Sequence, residues 1–228
     1  MSADDAARER VAHLGPAGTF TETAARLIAG VGPDEDGAVL LVPCVDVVEV
    51  LRMVESDEAA RGVVPIENTL EGSVTATLDA LAFDFDLLIH GELELPAALV
   101  AAAPSGTVLA DARTVRSHTV ALGACRRWLA DATPGAERIA ASSTARAAQE
   151  VAEAGPGHVA IVNELAAERY GLEVLARDVT DRTGNFTRFV VVGDHVPAAT
   201  GWDKTSIVVF IESNRPGALL QLLQVFAS

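Results

Sequence analysis

Five short segments hold side chains that can do chemistry, and each sits where an apolar run gives way to polar residues. Gly15-Pro16-Ala17-Gly18-Thr19-Phe20 follows one apolar run and opens an amphipathic stretch. Its backbone N–H groups and the Thr19 and Thr21 hydroxyls can hold a carboxylate or phosphate at a helix N-terminus. It has neither the Gly-Lys-Ser/Thr ending of a nucleotide phosphate loop nor the GxGxxG of a dinucleotide turn, so on its own it reads first as an ordinary βα turn. Val64-Pro65-Ile66-Glu67-Asn68-Thr69, running into Glu71-Gly72-Ser73, places amide and hydroxyl donors at a second such junction, denser than capping one helix requires. Arg116-Ser117-His118-Thr119 ends a short strand, and Ser117 reads as a helix cap or a ligand contact. As a nucleophile it is a poor candidate, because adjacent residues rarely point at each other and no glycine-flanked elbow surrounds it. Ser142-Ser143-Thr144 repeats the arrangement and reads first as a cap. Asp181 to Phe189 enters an apolar strand on which Thr187 and Arg188 must point to opposite faces, one towards a cleft and the other towards a carboxylate elsewhere.

Such hydroxyl- and amide-bearing strand ends converge on a crevice in an open α/β sheet. A convergence of uncharged donors is what a carboxylate pocket needs.

The elements that must position these residues follow from composition and pattern. The chain has 228 residues, half of them hydrophobic and 21% charged, which excludes a disordered chain and fits an α/β protein with a real core. The 17 basic and 32 acidic residues leave a net charge of −15, which argues against binding nucleic acid or an anionic membrane. The same charge sits awkwardly with an anionic ligand. Met1 to Arg10 lacks the apolar stretch of a signal peptide, and Leu93 to Ala103 is broken by Glu94 and Pro96, well short of the roughly 18 apolar residues of a membrane span. A cytoplasmic protein is expected. Cys44 and Cys125 form no metal-ligand pattern with the five histidines, so both read as buried small hydrophobes.

Apolar runs alternating with amphipathic stretches predict βα units around a mostly parallel sheet. Strands are expected near Val11 to Leu14, Val39 to Val42, Arg61 to Val64, Leu87 to Leu95, Thr114 to Arg116, Arg138 to Ala140, His158 to Val162, Leu172 to Ala176 and Thr187 to Val192. Helices are expected at Thr21 to Ala29, Val45 to Glu55, Ser73 to Leu81, Thr119 to Ala130, Thr144 to Ala154 and Glu164 to Tyr170. Gly193 to Gly201 reads as a linker. Beyond it, Ile207 to Ile211 predicts a strand, Asn214 to Gly217 a turn and Ala218 to Phe226 a helix. A lone strand and helix cannot bury both faces, so the chain is expected to stop inside a domain.

Taken in order, the motifs resemble the prephenate dehydratase family: Gly15-Pro16-x-Gly18-Thr19-Phe20, Pro65-Ile66-Glu67-Asn68-Thr69, Ser117-His118, Tyr170-Gly171-Leu172 and Asn185-x-Thr187-Arg188-Phe189. Asn214-Arg215-Pro216-Gly217-Ala218-Leu219 resembles the first ligand-side turn of an ACT regulatory domain. The resemblance implies a bilobed α/β catalytic region like type II periplasmic binding proteins. Lobe 1 would span 1–94 plus 178–193 and lobe 2 95–177, followed by a linker at 194–203 and an incomplete ferredoxin-like ACT segment at 204–228. It implies a lyase that takes prephenate to phenylpyruvate in phenylalanine biosynthesis, with no cofactor and no metal, acting as a homodimer or homotetramer.

By the same resemblance Thr187 is catalytic. A threonine hydroxyl is a poor full proton donor, so its expected part is a hydrogen bond to the departing oxygen. Gly18, Thr19, Asn68, Thr69, Ser73 and Ser117 would hold the carboxylates and keto group, and Arg188 either the substrate or the lobe. Glu67 and His118 are the titrating candidates, although Glu67 beside a dianion repels it unless protonated. Gly217, Ala218 and Leu219 would serve phenylalanine as an effector, whose remaining contacts are expected beyond Ser228. The resemblance departs after Gly91-Glu92, where many members carry a histidine and this chain reads Leu95-Pro96-Ala97-Ala98-Leu99-Val100. Two rivals stand beside this reading: arogenate dehydratase, whose substrate has an amino group in place of the keto oxygen, and a non-catalytic bilobed binding protein.

Overall fold

Continuous apolar runs such as Val100-Ala101-Ala102-Ala103 are what a strand buried on both faces requires, and the computed structural model, which describes residues 8–32, 39–211 and 215–227, contains two sheets built on them. The N-terminal residues 1–7 and Asn214 of the predicted turn lie outside the described residues. The first sheet has the order β2-β1-β3-β11-β5, from β1 (Glu9–Leu14), β2 (Val39–Cys44), β3 (Arg61–Asn68), β5 (Leu88–Pro96) and β11 (Phe186–Gly193), with β4 (Gly72–Ser73) paired to β3. The second runs β10-β6-β9-β7-β8, from β6 (Val100–Ala103), β7 (Thr114–Ser117), β8 (Glu137–Ala140), β9 (His158–Val162) and β10 (Glu173–Ala176).

Neither sheet is mostly parallel, as the alternation of elements suggested. β1, β2 and β3 are parallel, but β11 is antiparallel to both β3 and β5. In the second sheet β7 is parallel to β8 and β9, whereas β6 is antiparallel to β9 and β10. The cause is topological: the chain leaves the first sheet along β5, builds the second, and comes back along β11. β6, absent from the expected strands, has all four residues buried. A uniformly apolar segment carries no period-2 signal.

Helices cover both faces of each sheet. On β6, Val100 and Ala102 pack with Ala148 and Val151 of α6 (Thr144–Ala154) and Ala166 and Ala167 of α7 (Glu164–Arg169). Ala101 and Ala103 meet Ala121 of α4 (Thr119–Ala124) and Leu129 of α5 (Arg126–Ala132) on the other face. In the first sheet Val11, Val63 and Phe189 pack with Ala24 and Ala25 of α1 (Phe20–Ala29), while Ala12, Val64, Val190 and Val192 pack with Val50, Leu51 and Val54 of α2 (Val47–Glu55). Gly62 lets α2 approach, since a Cβ there would lie 2.9 Å from Val50 Cγ1.

Two helices differ from expectation. The predicted Thr119 to Ala130 helix breaks at Cys125 into α4 and α5, because the Asp181 carboxylate accepts from the backbone N–H groups of Arg127 and Trp128 and so caps a new helix start. Ser73 is strand, and α3 is only Thr75–Asp79, continuing as a wider π turn over Ala80–Asp84. Both cysteines are buried free thiols, which burial pushes up to about 11 at Cys44 and about 12 at Cys125.

Residues Met1–Val196 form one compact unit and Pro197–Ser228 a second. Within the second, Ala218–Gln224 forms α8 behind Gly217, whose φ of +87 suits glycine. Ile207 to Ile211 does not form the expected strand. Among the described residues no helix is long and apolar enough to cross a membrane.

Candidate functional site

Helix N-termini leave backbone N–H groups without intrahelical partners, and three of them line one cleft of about 580 Å³ between the two sheets. The turn after β1 delivers Gly15, Pro16, Thr19, Phe20 and Thr21 at the start of α1. The end of β7 delivers His118 and Val120 at the start of α4, and the segment after β8 delivers Ser142, Ser143 and Thr144 at the start of α6. Thr19 caps α1 by accepting from Glu22 N at 3.3 Å and donates to the Leu14 carbonyl at 3.1 Å. Ser143 caps α6 by accepting from Arg146 N at 2.9 Å. His118 makes no side-chain cap for α4, which leaves its ring available to the cleft. Each helix start carries a partial positive charge of about half a unit. Among the described residues the lining otherwise has no lysine or arginine, and Glu71 is its one carboxylate.

Across the cleft, Asn68 at the end of β3 and Thr187 on β11 are cross-strand partners. The Asn68 side-chain carbonyl accepts from Leu70 N at 2.9 Å and Glu71 N at 3.3 Å, which fixes its amide so that Nδ2 donates to Thr187 Oγ1 at 2.8 Å. A hydroxyl that accepts one hydrogen bond keeps its own proton to donate. Thr187 lines the cleft, so that proton is available to an oxygen bound there.

Thr19, Asn68, His118 and Thr187 are thus brought together, and the other predicted residues are not. Gly18 lies behind the turn, its N–H taken by Glu22 Oε2 at 2.6 Å. Thr69 bridges strands, donating to Asn185 Oδ1 at 2.7 Å and accepting from Phe186 N at 3.0 Å. Ser73 is exposed opposite Glu67 in the β3–β4 ladder. Arg188 faces away from the cleft, held by Glu92 at 2.7 Å with Glu67 3.8 Å away. Alternation along β11 requires this once Thr187 faces inward. Ser117 is fully buried and donates to the Ile161 carbonyl. Ser117→Ala should therefore cost about 1–3 kcal/mol of stability in urea unfolding and leave turnover little changed. A large loss of turnover with normal stability would return Ser117 to the site.

The cleft also contains residues to which the motifs gave no role. Asn185 lines it, its carbonyl accepting from Ala97 N at 2.8 Å. Glu71, Leu70, Val120, Ala124 and Asn185 are shared with an annex of about 420 Å³ that adds Arg126, Arg127, Asp181 and Arg182. Among the described residues none of these three guanidinium groups is held in an ion pair. Burial works to raise the Asp181 carboxyl, but the Arg127 and Trp128 amides outweigh it and hold the group below its ordinary value. The Arg126-Arg127 pair and Arg182 lie in different stretches of sequence, and their common location depends on the Asp181 cap. Among the described residues no group of three or more His, Cys, Asp or Glu side chains is placed to hold a metal ion.

Comparison with known proteins gives a consistent result. The family model for prephenate dehydratase matches residues 11–197. A prephenate dehydratase of Mycolicibacterium vanbaalenii is 44% identical over 227 residues, covering 95% of this chain and 72% of the relative. Among solved structures, prephenate dehydratase from Arthrobacter aurescens in complex with L-Phe superposes with a TM-score of 0.85 at 38% identity, covering 96% of this chain and 72% of that one. GqqA, described as a novel type of quorum quenching acylase, superposes with a TM-score of 0.75 at 27% identity, covering 96% of this chain and 77% of its own.

Proposed function

Because the chain belongs to the prephenate dehydratase family, we propose that its cleft binds prephenate and expels the ring carboxylate as CO2 and the ring hydroxyl as water, leaving phenylpyruvate. The electron pair of the breaking ring-to-carboxylate bond becomes part of the aromatic ring as the carbon–oxygen bond opposite breaks. The ring hydroxyl leaves with that second electron pair and takes up a proton to become water. The ring supplies its own electron sink, so the protein's part is to hold two carboxylates and stabilise the departing oxygen.

The observation that carries the reading is the Asn68-to-Thr187 hydrogen bond. It holds Thr187 as a donor aimed at the oxygen that gains charge in the transition state, where one preorganised donor is worth about 10²–10³ in rate. The same polarity disfavours an acylase chemistry, since a hydroxyl nucleophile needs a neighbouring base and Asn68 presents a donor. His118 is the proton source facing the cleft. Glu67, which was the other candidate, lies outside it.

The helix starts hold one carboxylate without a formal cation, which is how a chain of net charge −15 accommodates a dianion. The annex arginines are the cations contiguous with the cleft, and they favour the anionic keto-acid side chain of prephenate over the zwitterionic side chain of arogenate. Asp181 and Glu71 offset part of that charge, though Asp181 is engaged by backbone amides. Replacing Arg126 and Arg182 together by Gln should lower kcat/KM for prephenate about threefold to tenfold, less for arogenate, with the wild-type advantage shrinking as salt rises. Equal losses for both substrates would contradict the selection.

The two sheets support a bilobed reading like type II periplasmic binding proteins, with lobe 1 at 1–94 plus 178–193 and lobe 2 at 95–177. We read 194–203 as a linker and 204–228 as the opening of an ACT domain in which Gly217, Ala218 and Leu219 serve phenylalanine. The L-Phe complex of the Arthrobacter relative supports phenylalanine as an effector. The functional assignment is tested by incubating purified protein with prephenate and, separately, arogenate, and following phenylpyruvate absorbance in alkali and phenylalanine. Phenylpyruvate from prephenate is expected. Phenylalanine from arogenate alone would favour the neighbouring activity, and ligand binding without product would favour a binding protein.

A further inference from the structure

The Tyr170-Gly171-Leu172 motif lies away from the cleft, and its surroundings give it work to do. Glu22, on α1, is 3% exposed, and its carboxylate accepts from Gly18 N at 2.6 Å and from Arg26 Nε at 2.9 Å. It also accepts from Arg169 Nη2. Arg169 ends α7, which packs on the second sheet, whereas α1 packs on the first. The next residue, Tyr170, directs its hydroxyl to the Ala17 carbonyl at 3.4 Å. Gly18 itself rests on α6 and α7: a Cβ there would lie 3.4 Å from Ala166 Cα and 3.5 Å from Ala145 Cβ, and its φ is +89. The turn that presents Gly15, Pro16 and Thr19 to the cleft is therefore pinned from behind by residues of the opposite layer.

We propose that Glu22 and Arg169 are positioning residues for the reaction: their ion pair spans the two layers and locks the Gly15–Thr19 turn, so that the start of α1 meets the substrate carboxylate in one fixed place. The proposal rests on reading the cleft as the prephenate site. A buried carboxylate is stable only when fully paired and hydrogen-bonded, and Glu22 has donors from three residues, Gly18, Arg26 and Arg169, for its two oxygens. His13 is buried nearby. Burial pushes its pKa below the ordinary imidazole value, so near neutral pH it stays uncharged and leaves Glu22 to the arginines.

Glu22 is too buried to replace without risk to folding. Arg169, about a third exposed, is the variant to make. Arg169→Ala is expected to raise KM for prephenate about tenfold, the scale of one hydrogen bond to a charged group. It should leave kcat of the folded protein nearer wild type and lower the melting temperature, because the buried Glu22 loses one of its partners, and Arg169→Lys or added guanidinium ion should recover part of both losses. Independently of activity, exchange of the Gly18 amide proton measured by NMR is expected to speed severalfold in Arg169→Ala and much less in Arg169→Lys. Unchanged Gly18 exchange, or a loss of activity that follows a loss of folded protein and is not rescued, would overturn the latch. Failure of the wild-type chain to form phenylpyruvate would instead overturn the reading of the cleft, with the exchange measurement still deciding the latch.

Discussion

Thr187→Val should fold as the parent chain does and turn prephenate over about 10²-fold more slowly, the usual loss when one transition-state donor is removed. Valine keeps the branched shape and the β-sheet preference of threonine and removes only the hydroxyl, so packing against Asn68 and Leu95, its cross-strand neighbours, is nearly preserved. Thr187→Ser returns the hydroxyl with freer rotation and should stand between the two. The effect belongs in kcat, because the departing oxygen carries its charge in the transition state and a bound neutral hydroxyl gains little from the same donor. A valine variant with near-normal turnover would remove Thr187 from the mechanism.

The second large effect is expected at Asn68, where Asn68→Asp changes almost no volume and reverses the chemistry. The introduced carboxylate can still accept from the Leu70 and Glu71 amides that hold the present carbonyl, so it stays in place. It has no donor for Thr187. It would draw the Thr187 proton towards itself and away from the cleft, and it would repel a substrate dianion a few ångströms away. The two effects together predict a fall in kcat/KM of about 10³-fold at neutral pH. The sign of the pH dependence is also fixed: as pH falls through the carboxylate range the introduced group takes up a proton and loses its charge. Activity relative to the parent should rise accordingly. A variant that loses activity equally at all pH values would point to a structural role for Asn68, and Asn68→Ala, which removes the donor without adding charge, should lose less.

Much of this site was legible because its parts are local. Thr19 follows an apolar strand and precedes an amphipathic run, and Ser143 does the same, so hydroxyls at helix starts could be read from spacing alone. Period-2 alternation also required Thr187 and Arg188 to part. Which of them faces the cleft depends on β11 pairing with β3, a contact spanning 119 residues between Asn68 and Thr187 and invisible to any window. Ser117 has the same local signature as Ser143 yet is buried, because β7 lies between β8 and β9 and its hydroxyl turns back to Ile161. The break at Cys125 depends on Asp181, 54 residues from the amide that it caps. Gly18 was read as a donor to ligand, but Glu22, four residues on, takes its N–H. The central turn of the site is therefore held by a buried carboxylate and by the shape of the layer behind it.

The role proposed for Thr187 lies in the transition state rather than in binding, and one measurement separates the two. Prephenate binding to the Thr187→Val chain, followed calorimetrically before turnover is appreciable, should give a Kd within severalfold of the parent's KM while kcat falls about 10²-fold. If binding weakens in step with turnover, or if turnover does not fall, the claim that the Asn68-held hydroxyl acts on the departing oxygen is wrong.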